Sequence, residues 1–166
     1  MIVRSIARGD GADFLAMQYQ LDKESQYMLL MPEERTTTVE EMERHIADTL
    51  LLSDFLFVAL DDDGRISGYI QAERNRPKKI KHSAYIVIGL LEKMQRKGIG
   101  TAFFEELVRW AEKEQVTRLE LTVITENTGA VALYEKAGFE IEGTKRRAIF
   151  QNGAYLNEYY MAKLLN

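Results

Sequence analysis

A strand, a basic glycine loop and a helix follow one another in the middle of this chain, and no other stretch restricts its fold as much. Tyr85-Ile86-Val87-Ile88-Gly89-Leu90 is short, apolar and β-branched, the composition of a buried strand. Gln95-Arg96-Lys97-Gly98-Ile99-Gly100-Thr101 comes next, and then Ala102, Phe103, Phe104, Leu107, Val108, Trp110 and Ala111 recur at helical spacing. Glycines let a backbone take positive φ and approach a ligand closely, and the first amides of a helix point outward unpaired. Such a junction is a cradle for an anion, above all a phosphate. Arg96 and Lys97 either add positive charge to it or are ordinary solvated loop charges.

Two familiar cradles match poorly. A nucleotide P-loop needs Lys and then Ser or Thr directly after its second glycine, but Gly100 is followed by Thr101-Ala102. A dinucleotide fingerprint needs a third small residue where Phe103 stands, and the acid at the right distance, Glu120, lies inside a strand pattern rather than at its end. On the loop alone, both alternatives stay open.

Composition narrows the classes. A chain of 166 residues suits a single domain spanning 1–166, large enough to bury a core without a staple. Zero cysteines exclude disulfides, thiolate metal sites and a cysteine nucleophile. His45 and His82 are far apart in sequence, so no metal site is expected. A net charge of −4 argues against a nucleic-acid partner. With no long apolar run and no signal-peptide profile, the expectation is a cytoplasmic protein without a membrane partner.

Periodicity predicts the order β-α-α-β-β-β-α-β-α-β-β. Ile2–Ile6 alternates as a strand, and Asp10 is placed to cap a helix carrying Phe14, Leu15, Met17, Tyr19 and Leu21. Thr38 and Glu41 form a capping box ahead of a second helix whose stripe is Val39, Met42, Ile46 and Leu50. Strands over 55–60 and 66–73 flank the Asp61-Asp62-Asp63-Gly64 turn. Five basic residues lie between Arg74 and Lys81, a pattern more usual in a solvated turn than in a binding patch. Beyond the cradle come a helix from about 101 to 114, a strand over 118–123, and a helix over 128–137 ended by Gly138. Strands over 139–149 and 155–162 close the chain around Gln151-Asn152-Gly153.

Asn127 and Tyr134 are seven residues apart, two helical turns, which puts them on one face roughly 10 Å apart. Asn127 reads as a helix cap and Tyr134 as an amphipathic core tyrosine or as something more. The cradle resembles the pyrophosphate-binding signature of the GCN5-related N-acetyltransferases. Glu126-Asn127-Thr128-Gly129-Ala130-Val131-Ala132-Leu133-Tyr134-Glu135-Lys136-Ala137-Gly138-Phe139 resembles that family's second signature, in the family's order. The fold this resemblance implies is α/β (α+β), a mixed, mostly antiparallel sheet of six to seven strands with helices on both faces.

It also implies acetyl-CoA as co-substrate and an amine as acceptor: a small molecule, an amino acid or a protein N-terminus. Gln95, Arg96, Lys97, Gly98, Ile99, Gly100 and Thr101 would hold the diphosphate. Backbone groups of Ile88, Gly89 and Leu90 would meet the acetyl oxygen and the pantetheine arm, and Asn127 the pantetheine amide. Tyr134 would return a proton to the CoA sulfur, a transfer suited to the nearby ordinary pKa values of a phenol and a thiol, about 10 and 8.5. Attack would be direct, in a ternary complex, since no cysteine or serine nucleophile is apparent. Relatives are often homodimers, which the resemblance extends to this chain as an option. No general base stands out: Glu73, His82, Glu92 and a water relay are all consistent with the pattern. The last hairpin resembles that of members acting on small amines, amino acids or protein N-termini, with Asn157 where those often carry Asp. The rival readings are a non-catalytic acyl-CoA-binding module and a nucleotide-binding oxidoreductase or phosphotransferase.

Overall fold

The computed structural model describes residues 2–166, and its helices and strands follow the predicted order. They are β1 (Ile2–Ser5), α1 (Gly11–Glu24), α2 (Val39–Leu51), β2 (Phe55–Leu60), β3 (Ile66–Arg74), β4 (Ser83–Leu90), α3 (Ile99–Lys113), β5 (Arg118–Ile124), α4 (Thr128–Lys136), β6 (Glu140–Gln151) and β7 (Ala154–Leu164). Short 3-10 turns at Pro32–Glu34 and Glu92–Met94 were not anticipated. The seven strands run in the order β1-β2-β3-β4-β5-β7-β6. The sheet is mostly antiparallel, with β4 and β5 parallel.

Contacts divide the chain into two compact units. The first extends through Ala72 and takes in Val87–Phe103, while the second comprises Glu73–Ile86 and Phe104–Asn166. In the first, Phe14, Leu15, Met17 and Leu21 of α1 and Met42 and Ile46 of α2 pack with Leu56, Val58, Ile66 and Tyr69. Burying side chains of this size contributes about 1.5–3 kcal/mol each, so this cluster dominates the unit's stability. In the second, Phe104, Leu107 and Ala111 of α3 are buried, as are Leu119, Leu121 and Val123 of β5, Phe139 and Met161.

Local sequence rules explain most boundaries, with two corrections. Thr38 accepts the Glu41 amide at 3.1 Å and Glu41 accepts the Thr38 amide at 3.3 Å, the reciprocal box expected at the start of α2. The α2 stripe runs through Met42, Ile46 and Thr49, whereas Val39 and Leu50 are exposed. Asp10 sits at the start of α1 but makes no capping bond. Its carboxylate is taken by the Arg4 guanidinium at 2.7 and 3.0 Å and by the Ala7 amide at 2.8 Å. Glu43 of α2 fills the vacated role, accepting the Gly9 amide at 3.1 Å and the Gly11 amide at 2.7 Å. A cap is worth about 1 kcal/mol, and here a tertiary carboxylate provides it, which no local pattern encodes.

Candidate functional site

The connection from β4 to α3 is held from behind and open in front. Met94 and Ile99 are buried, while Gln95, Arg96, Lys97 and Gly98 are exposed. Glu24, the last residue of α1, accepts the Glu92 amide at 2.8 Å, and Lys93 reaches Asp61 at 2.5 Å. Between these anchors Arg96 takes φ 60° and Gly98 φ 78°. Left-handed residues placed this way turn successive amides toward one concave side, the geometry of an anion nest. A side chain at Arg96 in that region costs on the order of 1–2 kcal/mol, so the turn holds it against a local preference.

Helix α3 begins at Ile99, two residues earlier than its apolar pattern suggests, so Ile99, Gly100 and Thr101 belong to its first turn. The first bond into the helix runs from the Ala102 amide to the Gly98 carbonyl at 3.1 Å. The amides of Ile99, Gly100 and Thr101 therefore lack intrahelical partners, and the macrodipole of the fifteen-residue helix adds about half a positive charge there. A neighbouring cavity of about 300 Å³ is lined by Asp61, Asp62, Asp63, Lys93, Lys97 and Ile99, among others. Its three carboxylates make it a poorer setting for a diphosphate than the amide face of the turn. The Lys93 ammonium and the Arg65 amide hold the Asp61 carboxyl well below the ordinary aspartate range.

In β4 the parallel ladder to β5 spans Ser83↔Arg118, Ala84↔Leu119 and Tyr85↔Glu120. β5 is paired with β7 along its whole length, from Arg118↔Leu164 to Ile124↔Glu158. The ladder to β5 thus ends before Ile88, Gly89 and Leu90. On the other edge, bonds from Leu91 N–H to the Ser67 carbonyl and from Asn75 N–H to the Ser83 carbonyl, both 3.0 Å, set Tyr69 opposite Gly89. Amides alternate between edges along a strand, so Gly89 turns toward β3 while Ile88 and Leu90 turn away from it.

In the second unit, Asn127 precedes α4 and accepts the Ala130 amide at 3.4 Å, a long capping bond. Tyr134 is 7% exposed. Its ring meets Phe104 edge-on at 5.9 Å and tilts against Phe139 at 6.1 Å. Helix α4 ends in a Schellman motif: Phe139 N–H bonds the Tyr134 carbonyl at 2.9 Å and Gly138 N–H the Glu135 carbonyl at 3.0 Å. Gly138, at φ 94°, supplies the left-handed turn, and Lys163 donates to the Ala137 carbonyl at 2.7 Å.

The base candidates Glu73, His82 and Glu92 are all exposed, and the geometry singles out none of them. Asp22, Arg35 and Tyr69, which form a buried polar group in the first unit, escaped sequence reading. One signal was present: Asp22 lies seven residues after Leu15, on the apolar stripe of α1, where a charge requires a buried partner.

A model of the acetyltransferase (GNAT) family matches residues 18–139. The L-amino acid N-acetyltransferase AaaT of Escherichia coli (strain K12) is 32% identical over 103 residues, 61% of this chain and 64% of that protein. The match thus spans a little under two thirds of that relative's length. Among solved structures, an acetyltransferase of GNAT family from Streptococcus pneumoniae superposes with TM-score 0.94 at 28% identity, covering 99% of both chains. A GNAT superfamily phosphinothricin acetyltransferase from Sinorhizobium meliloti, solved in complex with AcCoA, shares the fold with TM-score 0.87 at 21% identity, covering 99% of this chain and 88% of that one. Because that family's model matches most of its length, the chain belongs to the acetyltransferase (GNAT) family.

Proposed function

We propose that the protein is an N-acetyltransferase that moves the acetyl group of acetyl-CoA to a primary amine by direct attack in a ternary complex. The observation that carries this reading is the β4–α3 turn, where positive φ at Arg96 and Gly98 precedes three unpaired helix amides. In this reading residues 1–166 are a single N-acetyltransferase domain, and its setting is the cytoplasm. Among the described residues no helix is long and apolar enough to cross a membrane.

The residues present suit acetyl-CoA. The amides of the turn and of the first turn of α3 hold its diphosphate, with Gln95, Arg96 and Lys97 at the rim. The amides of Ile88 and Leu90 donate to the acetyl oxygen and the pantetheine arm, a role that oriented backbone donors perform at little reorganisation cost. Gly89 contributes by lacking a side chain. Asn127 meets the pantetheine amide and starts α4. When bound, acetyl-CoA supplies a thioester carbonyl open to attack by a neutral amine. Tyr134 Oη delivers a proton to the departing sulfur, while the proton lost by the amine leaves through water. The acceptor is a small molecule, an amino acid or a protein N-terminus, the first two favoured by the relative that acts on L-amino acids.

CoA release should be followed with a panel of amino acids, polyamines and peptides, with Tyr134→Phe as control. Release that depends on an amine and drops in the variant is expected. Tight acetyl-CoA binding without turnover on any amine would instead make the protein an acyl-CoA-binding module.

A further inference from the structure

A buried polar chain stands behind β4, and its meaning rests on the acetyl-CoA reading above. The Asp22 side chain has 0% exposure and takes two bonds from Arg35, Nε at 2.5 Å and Nη2 at 3.1 Å. Arg35 Nη1 donates to Gln18 Oε1 at 3.0 Å, and Gln18 hydrogen-bonds the Tyr69 phenol. Tyr19 hydroxyl donates to the Arg35 carbonyl at 3.2 Å, so the segment after α1 is fastened through main chain as well. A buried ion pair costs much of its attraction in desolvation, and apolar residues of similar volume would join α1 to this segment as firmly. The two bonds from one guanidinium to one carboxylate add a geometric specificity that apolar packing lacks.

Tyr69 carries that geometry to β4. It lies opposite Gly89, and Phe14 braces its ring edge-on at 5.3 Å. A Cβ on Gly89 would stand 2.4 Å from Leu21 Cδ2 and 3.0 Å from Tyr69 Cε1. Leu21 and Tyr69 therefore press on the bare Cα of the residue between the two outward amides. Burial pushes the Tyr69 hydroxyl up to about 12, so it stays a neutral phenol and acts by contact.

We propose that Asp22, Arg35, Gln18 and Tyr69 are positioning residues that set the height of Gly89 in β4 and so aim the amides of Ile88 and Leu90 at the acetyl oxygen. They act through β4 and not on the diphosphate. Loosening them disturbs the carbonyl's hydrogen bonding and spares cofactor affinity.

The test is isotope-edited infrared spectroscopy of [1-13C]acetyl-CoA bound to the full chain, with affinity measured separately by calorimetry. Wild-type protein should lower the carbonyl frequency relative to free acetyl-CoA, as hydrogen bonding to the oxygen does. Arg35→Met and Tyr69→Phe should each lose roughly half of that shift or more with affinity near wild type, since oriented donors and not binding have been disturbed. Arg35→Lys should recover part of it, because lysine restores the charge without the fork. Tyr69→Phe removes only a hydroxyl and keeps the test sound if Arg35→Met fails to fold. The full wild-type shift in Tyr69→Phe, or in a folded Arg35→Met, would overturn the inference. Wild-type protein that binds no acetyl-CoA would instead overturn the functional reading, and this inference with it.

Discussion

Phe139 closes helix α4 by donating its amide to the carbonyl of Tyr134 at 2.9 Å, while the two rings pack 6.1 Å apart. The residue proposed as proton donor is thus also the residue that accepts the helix-ending bond. Its backbone is held by that bond and its ring by Phe104 and Phe139. A phenol held this way loses little freedom on meeting a ligand, which is the condition for efficient proton delivery.

Tyr134→Phe preserves the ring packing and removes the hydroxyl. Turnover should fall by about 100-fold or more, the range of a lost general acid, with little change in acetyl-CoA affinity. Steady-state kinetics set beside calorimetric binding check both halves. An unchanged turnover number would remove Tyr134 from the chemistry.

Gly138→Ala should act on stability first. At φ 94° an added Cβ is strained, and it would also stand 3.2 Å from Lys163 Nζ. Urea unfolding should show a loss of about 1–2 kcal/mol, the penalty for a side chain in left-handed backbone. A variant as stable as wild type would mean that the α4 terminus tolerates another closure.

Acid sensitivity follows from carboxylates held below their ordinary range. Asp10 is lowered chiefly by its hydrogen bond with Arg4, and Glu142 by its hydrogen bond with Arg118. The unfolded chain takes up their protons at higher pH than the folded one. Their contribution is therefore complete above the ordinary carboxylate pKa of about 4 and is lost as pH falls through the folded values. Urea unfolding at a series of pH values should show stability dropping below about pH 4, and Arg118→Met should flatten part of that drop. A stability profile flat to low pH would contradict the assignment.

The turn between β4 and α3 was legible in the sequence because its requirements are local. Glycine, positive charge, the apolar β-branched run before them and the helical spacing after them sit within a short window, and Gly138 marked the end of α4 for the same reason. Two misreadings lay where a distant residue intervened. Asp10 looked like a cap, but Arg4 occupies its carboxylate and Glu43 caps α1 from another helix. Tyr69 read as one strand residue among several, because its significance depends on Gln18, Arg35 and Gly89, which come together only in the fold. The general base stayed unread in both, since Glu73, His82 and Glu92 are all exposed.

Gly98→Asp probes the cradle chemically. No atom lies within 4 Å of a Cβ built there, so bulk alone is tolerated, but φ 78° and a negative charge both oppose an anion site. Acetyl-CoA affinity should drop by about tenfold or more, corresponding to 1.4 kcal/mol or above, and Gly98→Ala should lose less. Equal losses in the two variants would assign the effect to backbone strain and not to charge.

The most direct measurement is a crystal structure of the protein soaked with acetyl-CoA. The diphosphate should lie about 3 Å from the main-chain amides between Lys97 and Thr101, at hydrogen-bonding distance. Density for the diphosphate elsewhere, with those amides facing solvent, would contradict the account.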